Sequence, residues 1–303
     1  MSRTQNLLST LAARPLQCDG ATGTQLQSLG LQPGECCERW VLEHPDRVRL
    51  VHQRYLDAGA DLLTTNTFAG TTLSLAAHGL DARAAEINRA AARLAREVAG
   101  ERAWVLGDIG PFGGILEPYG ETEPAAARAA FHAQAAALLE GGADAILVET
   151  MSDPAEAALA IAAASAAGAR LIIATFAFQK TPMGFHTMMG ADPAAAVEAA
   201  LSAGAAVVGA NCGTQLTLDD YAVLAAELIA AANTPAKNTP VIVQPNAGSP
   251  EHDPATYAIR YAVTPEAFAA AAARYIALGA RIVGGCCGTT PAHIAASAKL
   301  NKS

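Results

Sequence analysis

Six cysteines stand at positions 18, 36, 37, 212, 286 and 287, and two of the groupings are adjacent pairs that cannot readily bridge to each other. A disulfide framework is therefore a poor fit, and clustered thiols point instead to metal or catalysis. Cys212 closes the phrase GANC, while Cys286 and Cys287 lie inside GGCCGTTP. A catalytic zinc takes three protein ligands in tetrahedral geometry and leaves its fourth place to substrate. Three thiols meet that count. Against this, 74 residues separate Cys212 from Cys286, far from a zinc-finger spacing, and free cysteine is often no more than a small buried hydrophobe. Neighbours in a regular strand point to opposite faces, so Cys286 and Cys287 reach one ion only where the chain leaves its strand. Gly284, Gly285 and Gly288 supply that freedom, and Thr290–Pro291 reads as the N-cap and first position of a helix.

What brings such residues together is the arrangement of elements. Four phrases share a form, Gly followed by a short apolar run: AGADLLTTNT from Ala58, GGADAILVET from Gly141, AGAAVVGANC from Ala203 and LGARIVGGCC from Leu278. Each reads as a helix ended by a left-handed glycine and then a strand buried on both sides. Four more strands are expected at Leu16–Asp19, Ala103–Asp108, Leu171–Phe176 and Val241–Pro245, each before an alanine-rich stretch of helical length. Eight strand–helix units predict a single α/β (β/α)8 TIM-type barrel spanning residues 1–303. The alternative, a doubly wound open sheet, lacks a GxGxxG after its first strand. The Pro/Asn-rich stretch Ala232–Pro240 reads as one loop and not as a linker.

In such barrels the chemistry comes from the C-terminal ends of the strands. Here those ends hold Asp19, Asn66, Asp108, Glu149, Asn211 with Cys212, Gln244 with Asn246, and Cys286 with Cys287. The three thiols come from the sixth and eighth strands, two places apart in the ring, so they can converge. Glu149 is the hardest to dismiss as structural, because a buried carboxylate lacking a cation costs several kcal/mol or changes its pKa.

Charge and composition exclude other classes. A net charge of −8 argues against a nucleic-acid backbone as partner. No run reaches the roughly 18 apolar residues of a spanning helix, so no membrane partner is expected. The opening MSRTQNLLSTLAARP is too short and too weakly apolar for a signal peptide, with only a faint resemblance to a transit peptide. A cytoplasmic protein is expected.

The segments DGATGTQLQ at Asp19–Gln27, HPDRVRLVHQRYLDAGADLLTTNTF, LVET, GANCGT and GGCCGTTPAHI together resemble the homocysteine S-methyltransferase family. The wording is most similar to the homocysteine-binding barrel of cobalamin-dependent methionine synthase. The resemblance runs along nearly the whole chain. It implies Zn2+ held by Cys212, Cys286 and Cys287, and homocysteine held by its amino-acid end at Asp19, Gly20, Ala21, Thr22 and Glu149. Asn211 is expected near the metal and Asn66 in the mouth, although Asp19 and Asn66 alone can be read as satisfying loop backbone.

The reaction implied is attack of a zinc-bound thiolate on an activated methyl group, giving methionine. A methyl-corrinoid is the expected donor, arriving on a separate protein since the chain ends soon after strand eight. Relatives also use betaine, S-methylmethionine or adenosylmethionine. Trp40 and Tyr119 are the candidate aromatic residues for such cations, His186 is a candidate donor contact, and the loop PFGGILEPYGETEP is a candidate docking rim. The SPEHDP segment reads as a loop. A corrinoid-linked enzyme with another acceptor, or a zinc- and thiol-binding sensor without turnover, are the rival readings. GECCERW departs from the family pattern, placing Cys36 and Cys37, expected to be structural, in the loop after the first strand.

Overall fold

The computed structural model describes residues 2–234, 237–252 and 259–301. Eight parallel strands form the frame: β1 (Leu16–Gln17), β2 (Leu62–Thr64), β3 (Trp104–Ile109), β4 (Ala145–Met151), β5 (Ile172–Phe176), β6 (Val207–Cys212), β7 (Val241–Pro245) and β8 (Ile282–Val283). They pair in ring order β1-β8-β7-β6-β5-β4-β3-β2. The Cys18–Leu62 bridge, with bonds Asp19 N–H to Leu62 O (3.1 Å) and Asp61 N–H to Gln17 O (2.7 Å), joins β2 back to β1. The (β/α)8 barrel read from the sequence is the fold observed.

Local rules explain the helices around it. Proline opens α8 (Pro154–Ala166), α9 (Pro193–Ala203) and α11 (Pro265–Leu278), where its missing N–H is no loss. Asp153, Asp192 and Thr264 precede these prolines, and their side-chain oxygens accept first-turn N–H groups. The glycines of the four recurrent phrases, Gly59, Gly142, Gly204 and Gly279, all have φ between 97° and 117°, a conformation a side chain would resist. The stretch expected as a single loop instead forms a short hairpin, Asn233–Thr234 against Lys237–Asn238. SPEHDP begins another short pairing at Glu251–His252, and its last two residues lie outside the described residues.

Alternation along the strands sorts the side chains. Leu16, Leu62, Leu106, Leu147, Ile173, Val207, Ile242 and Ile282 fill the lumen as one cluster, joined from below by Leu7 and Leu11 of α1 (Arg3–Ala13). Their strand neighbours, among them Ile146, Val148, Ala174, Val208 and Val243, pack outward against the alanine-rich helices. Two residues further along six of the eight lumen rows the chemistry changes, and Cys18, Thr64, Asp108, Glu149, Thr175 and Gln244 follow in the same inward phase, with Gly209 and Gly284 in the other two. The polar layer of the mouth is thus the upper continuation of the aliphatic core.

Candidate metal centre and its mouth

Cys212, Cys286 and Cys287 lie with their sulfurs all within 4.8 Å of one another, each partly exposed. Cys212 ends β6 with φ 55°, a left-handed conformation uncommon outside glycine and a recurrent mark of functional sites. The hydroxyl of Tyr221, buried in α10 (Leu218–Ala232), donates to the Cys212 carbonyl and fixes this turn. Cys286 and Cys287 lie beyond the end of β8 at Val283, so the chain does leave the strand before them. Backbone bonds pin the turn: Cys286 N–H to Pro245 O (2.9 Å), Gly285 N–H to Asp19 O (2.9 Å) and Ala247 N–H to Cys287 O (2.9 Å).

The thiols share their protons unevenly. Hydrogen bonds from Cys212 and then Cys286 lower the Cys287 pKa to about 3. The Cys286 thiol is held well above its usual value, chiefly through its bonds to Cys212 and Cys287. Cys212 is pushed up to about 11: its bond with Cys286 lowers it, but its bond with Cys287, burial and the Cys287 charge outweigh this. Three thiols this close, each shifting its neighbours' pKa, are a donor set that a divalent cation would complete. Zinc–sulfur bonds of about 2.3 Å set tetrahedral S···S edges near about 3.8 Å, so the sulfurs need move little to take that geometry.

Asn211 is the hub beside them. Its amide nitrogen donates to Glu149 Oε2 (3.1 Å), Thr150 Oγ1 (2.7 Å) and, more weakly, Cys286 Sγ (3.9 Å). Its oxygen accepts from Thr150 N–H (3.0 Å) and Thr175 Oγ1 (2.8 Å). Glu149 sits in a recess where burial, then the charges of Cys212 and Asp19, raise its pKa to about 8. Asp108 faces it closely enough to share a proton; burial, then Glu149, Glu38 and Asp19, push it well above the carboxylate range. One Asp108 oxygen, Oδ1, is buried without a protein partner.

Asp19 is buried and accepts from Thr64 N–H (2.7 Å) and Thr64 Oγ1 (2.8 Å), yet burial still raises it to about 7. The Gly20–Thr22 turn, which leads into α2 (Thr22–Ser28), is tied to the cysteine turn through Thr289, whose Oγ1 accepts Ala21 N–H (3.0 Å) and donates to Cys286 O (2.7 Å). A Cβ on Gly20 would stand 2.6 Å from that hydroxyl. Asn66 is engaged by Cys37 at both ends, Nδ2 to Cys37 O (2.8 Å) and Cys37 Sγ to Oδ1 (2.9 Å).

Some expected contacts fall elsewhere. Trp40 is not in the mouth: it is 4% exposed in an outer cluster with Val41 and Val48, under the Arg47 guanidinium at 4.8 Å. Its place in α3 (Trp40–Glu43) gives it the packing face of that helix. Tyr119 is 83% exposed on the rim loop, beside an outer groove lined by α7 (Pro124–Glu140) and α8. His186 belongs to the hairpin Phe178–Thr181/Gly184–Thr187, where Thr181 Oγ1 engages its Nδ1 at 3.3 Å. Conversely, Thr64, Thr175, Glu38 and Tyr261 were not singled out by sequence; the inward phase of the leucine rows would have found the two threonines.

The family model described as homocysteine S-methyltransferase matches residues 16–300. The chain is 34% identical over 306 residues to methionine synthase of Mycobacterium tuberculosis, covering 95% of this chain and 25% of that protein. It is 35% identical over 312 residues to methionine synthase of Mycobacterium leprae, covering 95% and 24%. It therefore spans about a quarter of the length of these curated relatives. Among solved structures it is similar to the homocysteine methyltransferase MmuM from Escherichia coli. The metallated form has a TM-score of 0.76 at 24% identity, covering 94% of this chain and 96% of that one; the oxidized form has 0.73 at 26%, covering 93% and 94%.

Proposed function

The chain belongs to the homocysteine S-methyltransferase family, and from that membership we propose that residues 1–303 act as one zinc-dependent barrel that methylates the thiol of homocysteine to give methionine. The observation that carries the reading is the convergence of three thiols at the mouth of a barrel of this family. A zinc ion there would deprotonate a fourth, incoming thiol and leave its sulfur nucleophilic at neutral pH. The protein's own groups do the rest. Asn211, held by Thr150 and Thr175, fixes the positions of Glu149 and Cys286. Asp108, with its unpartnered oxygen, and Glu149 offer an ammonium group two carboxyls, while the first turn of α2, which has no side-chain cap, offers backbone N–H groups to a carboxylate.

For the donor, the rim supports a methyl-corrinoid carried by a protein. Loops after β2, β3 and β5 expose Phe68, Ile115, Tyr119, Met183, Met188 and Met189, by 39% to 86%. Flexible, polarisable methionine at an open rim suits a macromolecular surface, and the curated relatives are methionine synthases. Among the described residues no helix is long and apolar enough to cross a membrane, consistent with a cytoplasmic enzyme.

Metal analysis and methionine formation from homocysteine test the reading together, with methylcobalamin, betaine and S-methylmethionine as donors. About one zinc per chain and turnover with methylcobalamin are expected. Zinc without turnover from any donor would favour a sensor. Rapid turnover with betaine or S-methylmethionine alone would replace the corrinoid and leave the zinc–thiolate chemistry standing.

A further inference from the structure

Beside the cysteine turn lies an aromatic ring that the proposed reaction has not used. Gly288 follows Cys287 directly and has φ 78°; a Cβ built there would stand 2.1 Å from Cγ of Tyr261 and 2.4 Å from Cδ1 and Cδ2. The ring therefore lies against the turn itself, in space that only glycine leaves open. Its segment is fastened to the same place. Val263 N–H bonds to Ala247 O (3.0 Å), Ala247 N–H bonds to Cys287 O (2.9 Å), and His293 Nε2 lies 2.9 Å from Val263 O.

Partial burial raises the Tyr261 phenol to about 12, and negative charge on Cys287, Cys212 and Cys286 adds to the rise. The group stays a neutral phenol at physiological pH. Tyr261 is only partly buried, so the ring borders the opening and is not sealed in the core.

We propose that Tyr261 is a specificity-determining residue: its ring walls the opening above the Cys287–Gly288 turn and sets the bulk of the group that reaches the three sulfurs. The inference rests on the cysteine trio being the reaction centre. A methyl group in transfer carries partial positive charge, which an aromatic face near its path favours, and a wall tied by hydrogen bonds to Cys287 keeps its distance from the nucleophile constant.

Access to the sulfurs can be read without turnover. Chelator-treated, reduced protein is exposed to methyl methanethiosulfonate, a small reagent, and to 5,5′-dithiobis(2-nitrobenzoate), a bulky aromatic one, and modification of Cys212, Cys286 and Cys287 is followed by peptide mass spectrometry. In Tyr261→Ala the bulky reagent is expected to react about tenfold faster while the small one changes by less than about twofold. Tyr261→Trp is expected to slow the bulky reagent by a similar factor, and Tyr261→Phe to leave both rates unchanged. If both reagents accelerate equally in Tyr261→Ala, or neither does, the ring only buttresses the turn and the proposal falls. Should Tyr261→Ala unfold, the tryptophan variant decides alone: an unslowed bulky reagent overturns the wall. Unaltered protein that binds no zinc would refute the reaction centre, whereas methionine formation without size dependence would refute the role of Tyr261 alone.

Discussion

The two ends of the barrel handle buried carboxylates in opposite ways. At the lower end, Asp61 receives both Nη atoms of Arg14 (2.8 and 2.9 Å) and the N–H of Gln17 (2.9 Å). Asp144 there pairs with Arg3 (3.0 Å) and Arg96 and accepts Val105 N–H (2.8 Å). At the mouth, Asp19, Glu38, Asp108 and Glu149 bond to hydroxyls, amides, a thiol and each other. The ion pairs of the described residues include Asp61 and Asp144 and none of these four. The lower charges are complete in the folded chain and serve stability. The upper ones have no cation paired with them among the described residues, and burial raises the pKa values of Asp19, Asp108 and Glu149.

Breaking the upper end should cost chemistry and not the fold. Cys212→Ala is expected to lower methyl transfer by at least about a thousandfold, the order of loss when electrostatic stabilisation of a reacting group is removed. Zinc content should fall with it, while circular dichroism stays that of the unaltered protein. Unfolding in step with the loss of activity would make the thiol cluster structural and erase the contrast.

Breaking the lower end should do the reverse. Asp144→Ala takes one acceptor each from Arg3 and Arg96, which keep bonds to Ala103 O and Gly142 O, and removes the carboxylate that accepts Val105 N–H, a loss of about 2 kcal/mol. Urea unfolding should show that loss, with KM for homocysteine unchanged in the protein that remains folded. A shift in KM with no loss of stability would mean that the two ends are coupled through the barrel.

A pH series sharpens the comparison. Asp19 has its folded pKa raised to about 7 from 3.8, so folding retains a proton that the unfolded chain gives up. The stability tied to the neutral form is fully present below about pH 4 and is lost as pH rises through 7, by up to about 1.4 kcal/mol per unit. Thermal unfolding without homocysteine should therefore show a declining midpoint between pH 5 and 8, and Asp19→Asn should flatten it while weakening homocysteine binding. An unchanged slope would mean that Asp19 is not the group that titrates.

The frame was legible because its signals are local and repeated: four Gly-Ala phrases each announce a helix end and a strand, and with four further strands the eight strand–helix units leave few topologies. Ring order allowed Cys212 to converge with Cys286 and Cys287, and the resemblance to the family selected them as a ligand set. What stayed hidden depends on side-chain direction over long separations. Trp40 has a composition suited to a cation site, but its place on α3 turns it toward Val41 and Val48, away from the mouth. Tyr261 reaches Gly288 from 27 residues earlier in the chain, and no periodicity marks such a contact. The pairing of Asn233–Thr234 with Lys237–Asn238 was missed because a polar, proline-bearing stretch gives a weak strand signal.

The smallest effect expected concerns Cys36 and Cys37, two further thiols near the mouth, and it asks whether being at the upper end is enough to make a cysteine functional. Cys36 is buried, donates to Glu38 Oε2 at 3.4 Å, and is pushed up to about 11 by burial and the Glu38 charge. Cys37 donates to Asn66 Oδ1 at 2.9 Å and is raised further, by burial and then by Glu38 and Cys36. Both thiols are engaged with side-chain oxygens and stand outside the group of three sulfurs that could hold an ion. Glu38, through its other oxygen, accepts Ala69 N–H at 2.8 Å, so the pair and Glu38 brace the loop that carries Asn66. A serine hydroxyl donates as well as a thiol does, so Cys37→Ser should keep the Asn66 bond. Zinc content in Cys36→Ser and Cys37→Ser should stay near that of the unaltered protein, with stability changed by no more than about 1 kcal/mol. Loss of half the metal in either variant would place that thiol among the ligands, and the division between the two ends would have to be redrawn around five sulfurs, not three.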